Sequence, residues 1–229
     1  MSDNPLVQAF DEARRLPGSL NERLGYYAAK VREHGRPWHE AYERLVGRLG
    51  AIDETHRAPG VGDPMPPFLL PGTDGRLVGL EEILAEGQAV ISLNRGHWCP
   101  YCRIELTALG ELVASAAVLD ARVVSIVPER LAYARHIHED TGAGVRVLSD
   151  VDNGHALGLG LAMWVGEEVR ALMTARGWDL ELFHGNPAWL LPIPATFVVG
   201  RDGLVKASLI DHDFRRRMEI SDILAALRG

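Results

Sequence analysis

NRGHWCPYCRIEL, residues 94–106, holds both cysteines of this 229-residue chain, Cys99 and Cys102. It follows the apolar run QAVISLN (88–94) and leads into Leu106, Leu109, Val113 and Ala116, spaced as one face of a helix. The pattern predicts a buried strand, a turn and a helix, with Cys99 at the junction. A sulfur there meets unpaired helix N–H groups and the positive end of the macrodipole, and both favour thiolate. Pro100 suits a first helical turn, where a missing N–H costs nothing. Cys102 falls one turn on, on the same face and within bridging reach, and is expected to be the more buried thiol with the higher pKa. The expectation is an exposed nucleophile with a second thiol in reserve, able to cycle between dithiol and disulfide. Two inert buried neighbours are the plain alternative. A metal reading would use Cys99, Cys102 and His97, but structural zinc takes four ligands and the sequence offers no second Cys/His cluster. No metal and no cofactor are expected.

Beyond this stretch strands and helices alternate. ARVVSIVP (121–128) and VRVLSD (145–150) read as buried strands, with RLAYARHIHEDTG (130–142) between them as a helix closed by Gly142. ATFVVGRDGLVKASLI (195–210) reads as two strands joined at Arg201-Asp202-Gly203, and Ser221 as the cap of a last helix. Such an order implies a mixed sheet covered by helices. Ahead of it, three amphipathic stretches carry stripes at Leu6/Phe10/Ala13/Leu16, Leu20/Leu24/Tyr27/Ala28/Val31 and Trp38/Tyr42/Leu45/Leu49. Ser19 with Glu22 has capping-box spacing. Residues 1–59 are therefore expected as a helical N-terminal extension and residues 60–229 as the main domain, joined by the Pro/Gly-rich DETHRAPGVGDPMPP (53–67). The three stripes need a covering surface, either the chain's own body or a second copy in a homodimer.

Hydrophobic residues at 47% with 24% charged describe a globular chain able to bury a core. The formal charge of −7 is spread without basic clusters, which argues against nucleic acid and against an anionic membrane surface. No run of eighteen apolar residues occurs, and the start shows no basic leader followed by an apolar segment, so a cytoplasmic location is expected.

Three segments, in order, resemble a known family. RGHWCPYC (95–102), GVGDPMPPFLLPGTDGRLVGLEEIL (60–84) and LPIPATFVVGRDGLV (191–205) look like the alkyl hydroperoxide reductase/thiol-specific antioxidant branch, the peroxiredoxin-like part of the thioredoxin superfamily. The resemblance runs from Gly60 to Arg228 and implies an α/β thioredoxin-like fold, a central mixed sheet flanked by helices. It implies a thiol-dependent peroxidase in which Cys99 attacks a hydroperoxide and becomes a sulfenic acid. Cys102 condenses with it, and a thioredoxin- or glutathione-type thiol donor resets the pair. It further implies a cis bond between Ile193 and Pro194, pressed against the disulfide at the substrate side.

The chain departs from that family at three places. Ser92 stands where the family has a proline seven residues before the cysteine. Gly96 replaces a threonine or serine hydroxyl, and Pro194 falls where a late arginine would stabilise the thiolate.

Around the pair, Arg95 is placed to stabilise thiolate if it turns inward, and is otherwise a solvated loop arginine. His97 is a proton shuttle near neutral pH or a surface histidine, and Trp98 shields the site by packing. Glu105 either helps move the second thiol's proton or is solvated. DFRRRME (213–219) reads as a solvated basic turn. Two other functions fit the same residues: thiol–disulfide exchange without peroxidase activity, and a non-catalytic interaction protein on this fold.

Overall fold

The computed structural model of the chain describes residues 4–52, 57–142 and 144–229. Residues 1–3, on which the reading of the chain start partly rests, and 53–56, the beginning of the expected linker, lie outside the described residues.

The extension folds as three helices, α1 (Pro5–Arg15), α2 (Leu20–His34) and α3 (Arg36–Ile52). Each turns its stripe inward: Ala13, Leu20, Leu24, Tyr27, Val31, Tyr42, Leu45 and Leu49 are buried. The N-terminal N–H groups of α2 are all satisfied. Ser19 and Glu22 form the expected capping box, while the Glu219 carboxylate, from the other end of the chain, accepts from the N–H groups of Leu20 (3.0 Å) and Asn21 (2.9 Å).

A small hairpin, β1 (Leu69–Pro71) and β2 (Leu77–Gly79), leads into the short helix α4 (Leu80–Glu86) and the central strand β3 (Gln88–Leu93). The helix α5 (Pro100–Val118) follows, starting at Pro100 with Cys99 as its N-cap residue. Next come β4 (Ala121–Val127), the short turns α6 (Leu131–Ala134) and α7 (His138–Thr141), and β5 (Val145–Ser149). The helix expected over 130–142 is thus broken by a 3-10 turn at Arg135–Ile137. Arg135 and His138 there both reach Thr73, at 3.1 Å each, so the segment follows the loop between β1 and β2 and not one straight axis.

Between β5 and the expected hairpin the chain folds as α8 (Gly154–Gly158), β6 (Ala162–Trp164), α9 (Glu167–Ala175), α10 (Leu180–His184) and β7 (Leu190–Pro192). The expected hairpin is β8 (Ala195–Val199) with β9 (Val205–Ile210), and α11 (Ile220–Arg228) closes the chain. Ser221 lies inside α11, whose N-cap residue is Glu219.

The main sheet has the order β5-β4-β3-β8-β9, with β3, β4 and β5 parallel and β8 and β9 antiparallel. It is the mixed sheet that the sequence implies. Apolar residues cover both faces of its central strands, so β3, β4 and β8 read as continuous apolar runs.

The position of α5 explains the extension. It packs on the sheet with one side and takes α1, α2, α7 and α11 on the other. Tyr101, Ile104, Leu106, Leu109 and Leu112 are therefore buried around most of its circumference. Arg14 of α1 (3.0 Å) and Arg103 of α5 (2.7 Å) share the buried carboxylate of Asp140 on α7. The three stripes are thus covered by the chain's own body, and they supply no motive for a second copy. No described helix is long and apolar enough to cross a membrane.

Candidate active site

Strand β3 ends at Leu93 and the chain must turn over the sheet edge to start α5. Gly96 makes that turn with φ +127°, a conformation that side chains rarely adopt. A Cβ at this position would stand 2.6 Å from the Glu129 carboxylate and 2.9 Å from Trp98 Nε1. The missing hydroxyl at Gly96 is thereby explained: the space is already filled by the indole N–H and a buried acid.

Glu129 is fully buried and accepts from His97 twice, from its N–H (2.9 Å) and at its ring Nδ1 (2.7 Å). His97 is fixed to this carboxylate and stacks on Tyr133, away from a role as third ligand to the sulfurs. Among the described residues no group of three His, Cys, Asp or Glu side chains is placed to hold a metal.

Arg95 turns inward. Its Nη2 lies 3.0 Å from Cys99 Sγ, and its guanidinium sits 3.7 Å from the centre of the Phe214 ring. The backbone N–H of Arg95 donates to Cys102 Sγ at 3.4 Å. Burial pushes the Cys99 thiol up, yet the Cys102 hydrogen bond and the Arg95 charge outweigh it, and the thiol is held well below its ordinary range. Cys102 goes the other way: burial, and then the hydrogen bond and charge of Cys99, push it well above. The split in acidity expected from the helix position is present.

The split in exposure is not. Cys99 and Cys102 are both 0% exposed. Trp98 shields them as expected, and a cover the sequence does not announce extends from it: Trp98, Trp178 and Trp38 follow one another at 5.4 Å spacings, and Tyr42 packs on Tyr101 and on Phe214. A surface cleft of about 460 Å³ reaches His97, Trp98 and Pro100, the residues that flank Cys99, and takes Leu6, Phe10 and Arg14 of α1 as its opposite wall. Cys99 therefore lies one layer of side chain beneath the surface.

Ile193 and Pro194 correct the expectation further. No peptide bond among the described residues is cis, so the Ile193–Pro194 bond is trans. The N–H of Ile193 donates to the carbonyl of Leu161 at 2.6 Å, and its side chain lines a different cleft with Met163 and Trp164. With its N–H bonded inside the fold, Ile193 has no free donor to offer an extended substrate.

Arg217 and Glu105 are the members of the site that sequence reasoning missed or left open. Arg217 is not on a solvated turn: it is 2% exposed and pairs with the equally buried Glu105 at 2.7 Å. Glu105 also accepts from Ser92 Oγ (2.9 Å) and Thr196 Oγ1 (3.4 Å). Asn94 Nδ2 extends the network to Ser92 and to Ser125. Ser92, where the family has proline, is thus a hydrogen-bonding member of a polar cluster behind Cys102.

A low-pKa sulfur at a helix mouth, a second sulfur one turn inward and a mixed sheet beneath them define a thiol-dependent oxidoreductase. Residues 61–208 match the model of the AhpC/TSA family, and the chain belongs to that family of thiol peroxidases. No curated protein matches the chain. Among solved structures it is similar to peroxidoxin BcpB from Mycobacterium tuberculosis, with TM-score 0.57 and 21% identity over 74% of this chain and 97% of that one. It is also similar to a peroxiredoxin 6 of Arenicola marina, with TM-score 0.58 and 17% identity over 73% and 71% of the two chains. Peroxiredoxin Q of Xanthomonas campestris aligns with TM-score 0.52 and 15% identity over 70% and 89%. These likenesses are of fold, a thioredoxin-like α/β fold. The extension lies outside the matched family region, as does Arg217.

Proposed function

We propose that the chain reduces hydroperoxides through a Cys99–Cys102 dithiol–disulfide cycle. The observation that carries this reading is the 3.0 Å contact of Arg95 Nη2 with a Cys99 sulfur held in the thiolate range. In the first step the Cys99 thiolate attacks the nearer peroxide oxygen. The O–O bond breaks, the leaving alkoxide or hydroxide takes a proton, and Cys99 becomes a sulfenic acid. Negative charge moves from sulfur to the leaving oxygen, and Arg95 is placed to follow it.

Two buried N–H donors beside the site, Arg95 Nε and Trp98 Nε1, have no hydrogen-bond partner among the described residues. They are the groups available to a peroxide oxygen where the family's hydroxyl is missing at Gly96. Cys102 then closes on Cys99 with loss of water. A thiol donor of the thioredoxin or glutathione type returns both sulfurs to thiols.

Disulfide exchange with protein substrates is the competing reaction. In it Cys99 would attack a disulfide sulfur in place of a peroxide oxygen. The test is rapid mixing of reduced protein with one equivalent of hydroperoxide or of a disulfide. Fast loss of both free thiols with the hydroperoxide supports the reading, and thiols that react only with the disulfide overturn it. A Cys99→Ser protein that keeps full peroxidase turnover would remove the assigned nucleophile.

A further inference from the structure

Cys102 has a charge environment of its own, which attack on peroxide does not use. Arg217 Nη2 lies 3.8 Å from Cys102 Sγ. Its Nη1 donates to the carbonyls of Phe214 and Arg216, and its Nε to Glu105 Oε2 at 2.7 Å. Every edge of the guanidinium is therefore anchored, with one nitrogen left for the sulfur. The loop that carries it is held in turn, since Asn21 of α2 accepts from the Arg217 N–H at 3.0 Å and donates to its carbonyl at 2.8 Å. The other charged or titratable groups facing Cys102 among the described residues are Cys99, Arg95 and the Glu105 carboxyl itself, and the Arg95 guanidinium is committed to Cys99.

Stability alone does not account for this arrangement. Burying two charges costs several kcal/mol, and an apolar pair of the same volume is often as stable or more so. Placement beside a thiol is what an apolar pair would not supply.

The second step of the cycle gives that placement a use. Burial, and then the hydrogen bond and charge of the Cys99 thiolate, keep Cys102 protonated. Once Cys99 is a sulfenic acid its charge is gone and burial alone still opposes ionisation of Cys102. Cys102 loses its proton to the departing hydroxyl and its sulfur bonds to Cys99 Sγ. The S–O bond breaks and one water leaves. Negative charge develops on Cys102 Sγ during this exchange, and the Arg217 guanidinium stands 3.8 Å from it.

We propose that Arg217 stabilises the developing thiolate of Cys102 and that Glu105 is the positioning residue that aims it. Each sulfur then has its own arginine, Arg95 for attack on peroxide and Arg217 for closure of the disulfide. The inference rests on the dithiol cycle above.

The experiment follows the two steps separately in the full-length reduced protein. One equivalent of hydrogen peroxide is added, samples are quenched with a sulfenic-acid trap and a thiol alkylator, and intact masses give sulfenic acid and disulfide against time and pH. In Arg217→Met, closure slows by about 10- to 100-fold relative to sulfenic acid formation, the scale of a lost charged hydrogen bond. Its pH dependence also moves to higher pH. Arg217→Lys, which keeps a charge, closes faster than Arg217→Met. If Arg217→Met does not fold, Glu105→Gln/Arg217→Met removes both charges together and shows the same slow closure.

Closure at the wild-type rate and pH dependence in a folded Arg217→Met or double variant would falsify the assignment, as would Lys and Met variants that close equally slowly. Either result leaves peroxide reduction standing. A wild-type protein that forms neither sulfenic acid nor disulfide sinks the cycle itself.

Discussion

Moving a thiol out of water raises its pKa, so a buried cysteine is inert unless something compensates. At Cys99 the compensation is Arg95 at 3.0 Å together with the Cys102 hydrogen bond, and the two outweigh burial. A depressed pKa means that the folded protein keeps its thiolate as pH falls through the ordinary thiol range near ~8.5, and loses it only at the lower folded value. Thiolate absorbance near neutral pH checks this, and Arg95→Met should move the titration upward and slow peroxide attack by about 100-fold. Gly96→Thr, which would restore the family's hydroxyl, should lower activity and cost about 1–3 kcal/mol in a urea titration, because its Cβ would stand 2.6 Å from Glu129. The cysteine pair was legible, since helix-mouth position and spacing are local, while the direction of Arg95 and the role of Glu105 were left open. The pairing of Glu105 with Arg217 was not legible. They lie 112 residues apart, and a charged segment such as DFRRRME reads as solvated until a tertiary partner buries one of its members.

Helix α2 shows how an element is finished by a distant residue. Its capping box could be read from Ser19 and Glu22, but the N–H groups of Leu20 and Asn21 depend on Glu219. Glu219→Ala should cost about 0.5–2 kcal/mol, the range for a lost N-cap, read as a lower urea midpoint. Burial raises the Glu219 carboxyl, but the Asn21 and Leu20 hydrogen bonds outweigh it and hold it below its usual value. Its contribution is therefore complete above the unfolded value near ~4.3 and disappears as pH falls through the folded one. The arm helices and the main-sheet strands were visible as periodic stripes and apolar runs. The α8 to β7 segment was not, because most of its elements are only three to five residues long.

The extension and the sheet share one hydrophobic core through α5, so the molecule is expected to unfold as one unit. Far-UV and near-UV signals should give coincident transitions, and two resolved transitions would show an arm that folds by itself. A chain beginning at Arg57 would uncover α5 and should aggregate or lose its near-UV signal. The stripes showed that the arm needed a surface to bury on, but not that it would close over Cys99. Three of the chain's five tryptophans, Trp38, Trp98 and Trp178, form that cover, and the Arg95 guanidinium lies 5.8 Å from the Trp98 ring centre. Indole emission responds to nearby charge, and on the proposed cycle the negative charge beside this row is lost each time Cys99 is oxidised. The row would then report turnover optically: peroxide should change the emission without any added dye, donor should restore it, and Trp98→Phe should darken most of the signal.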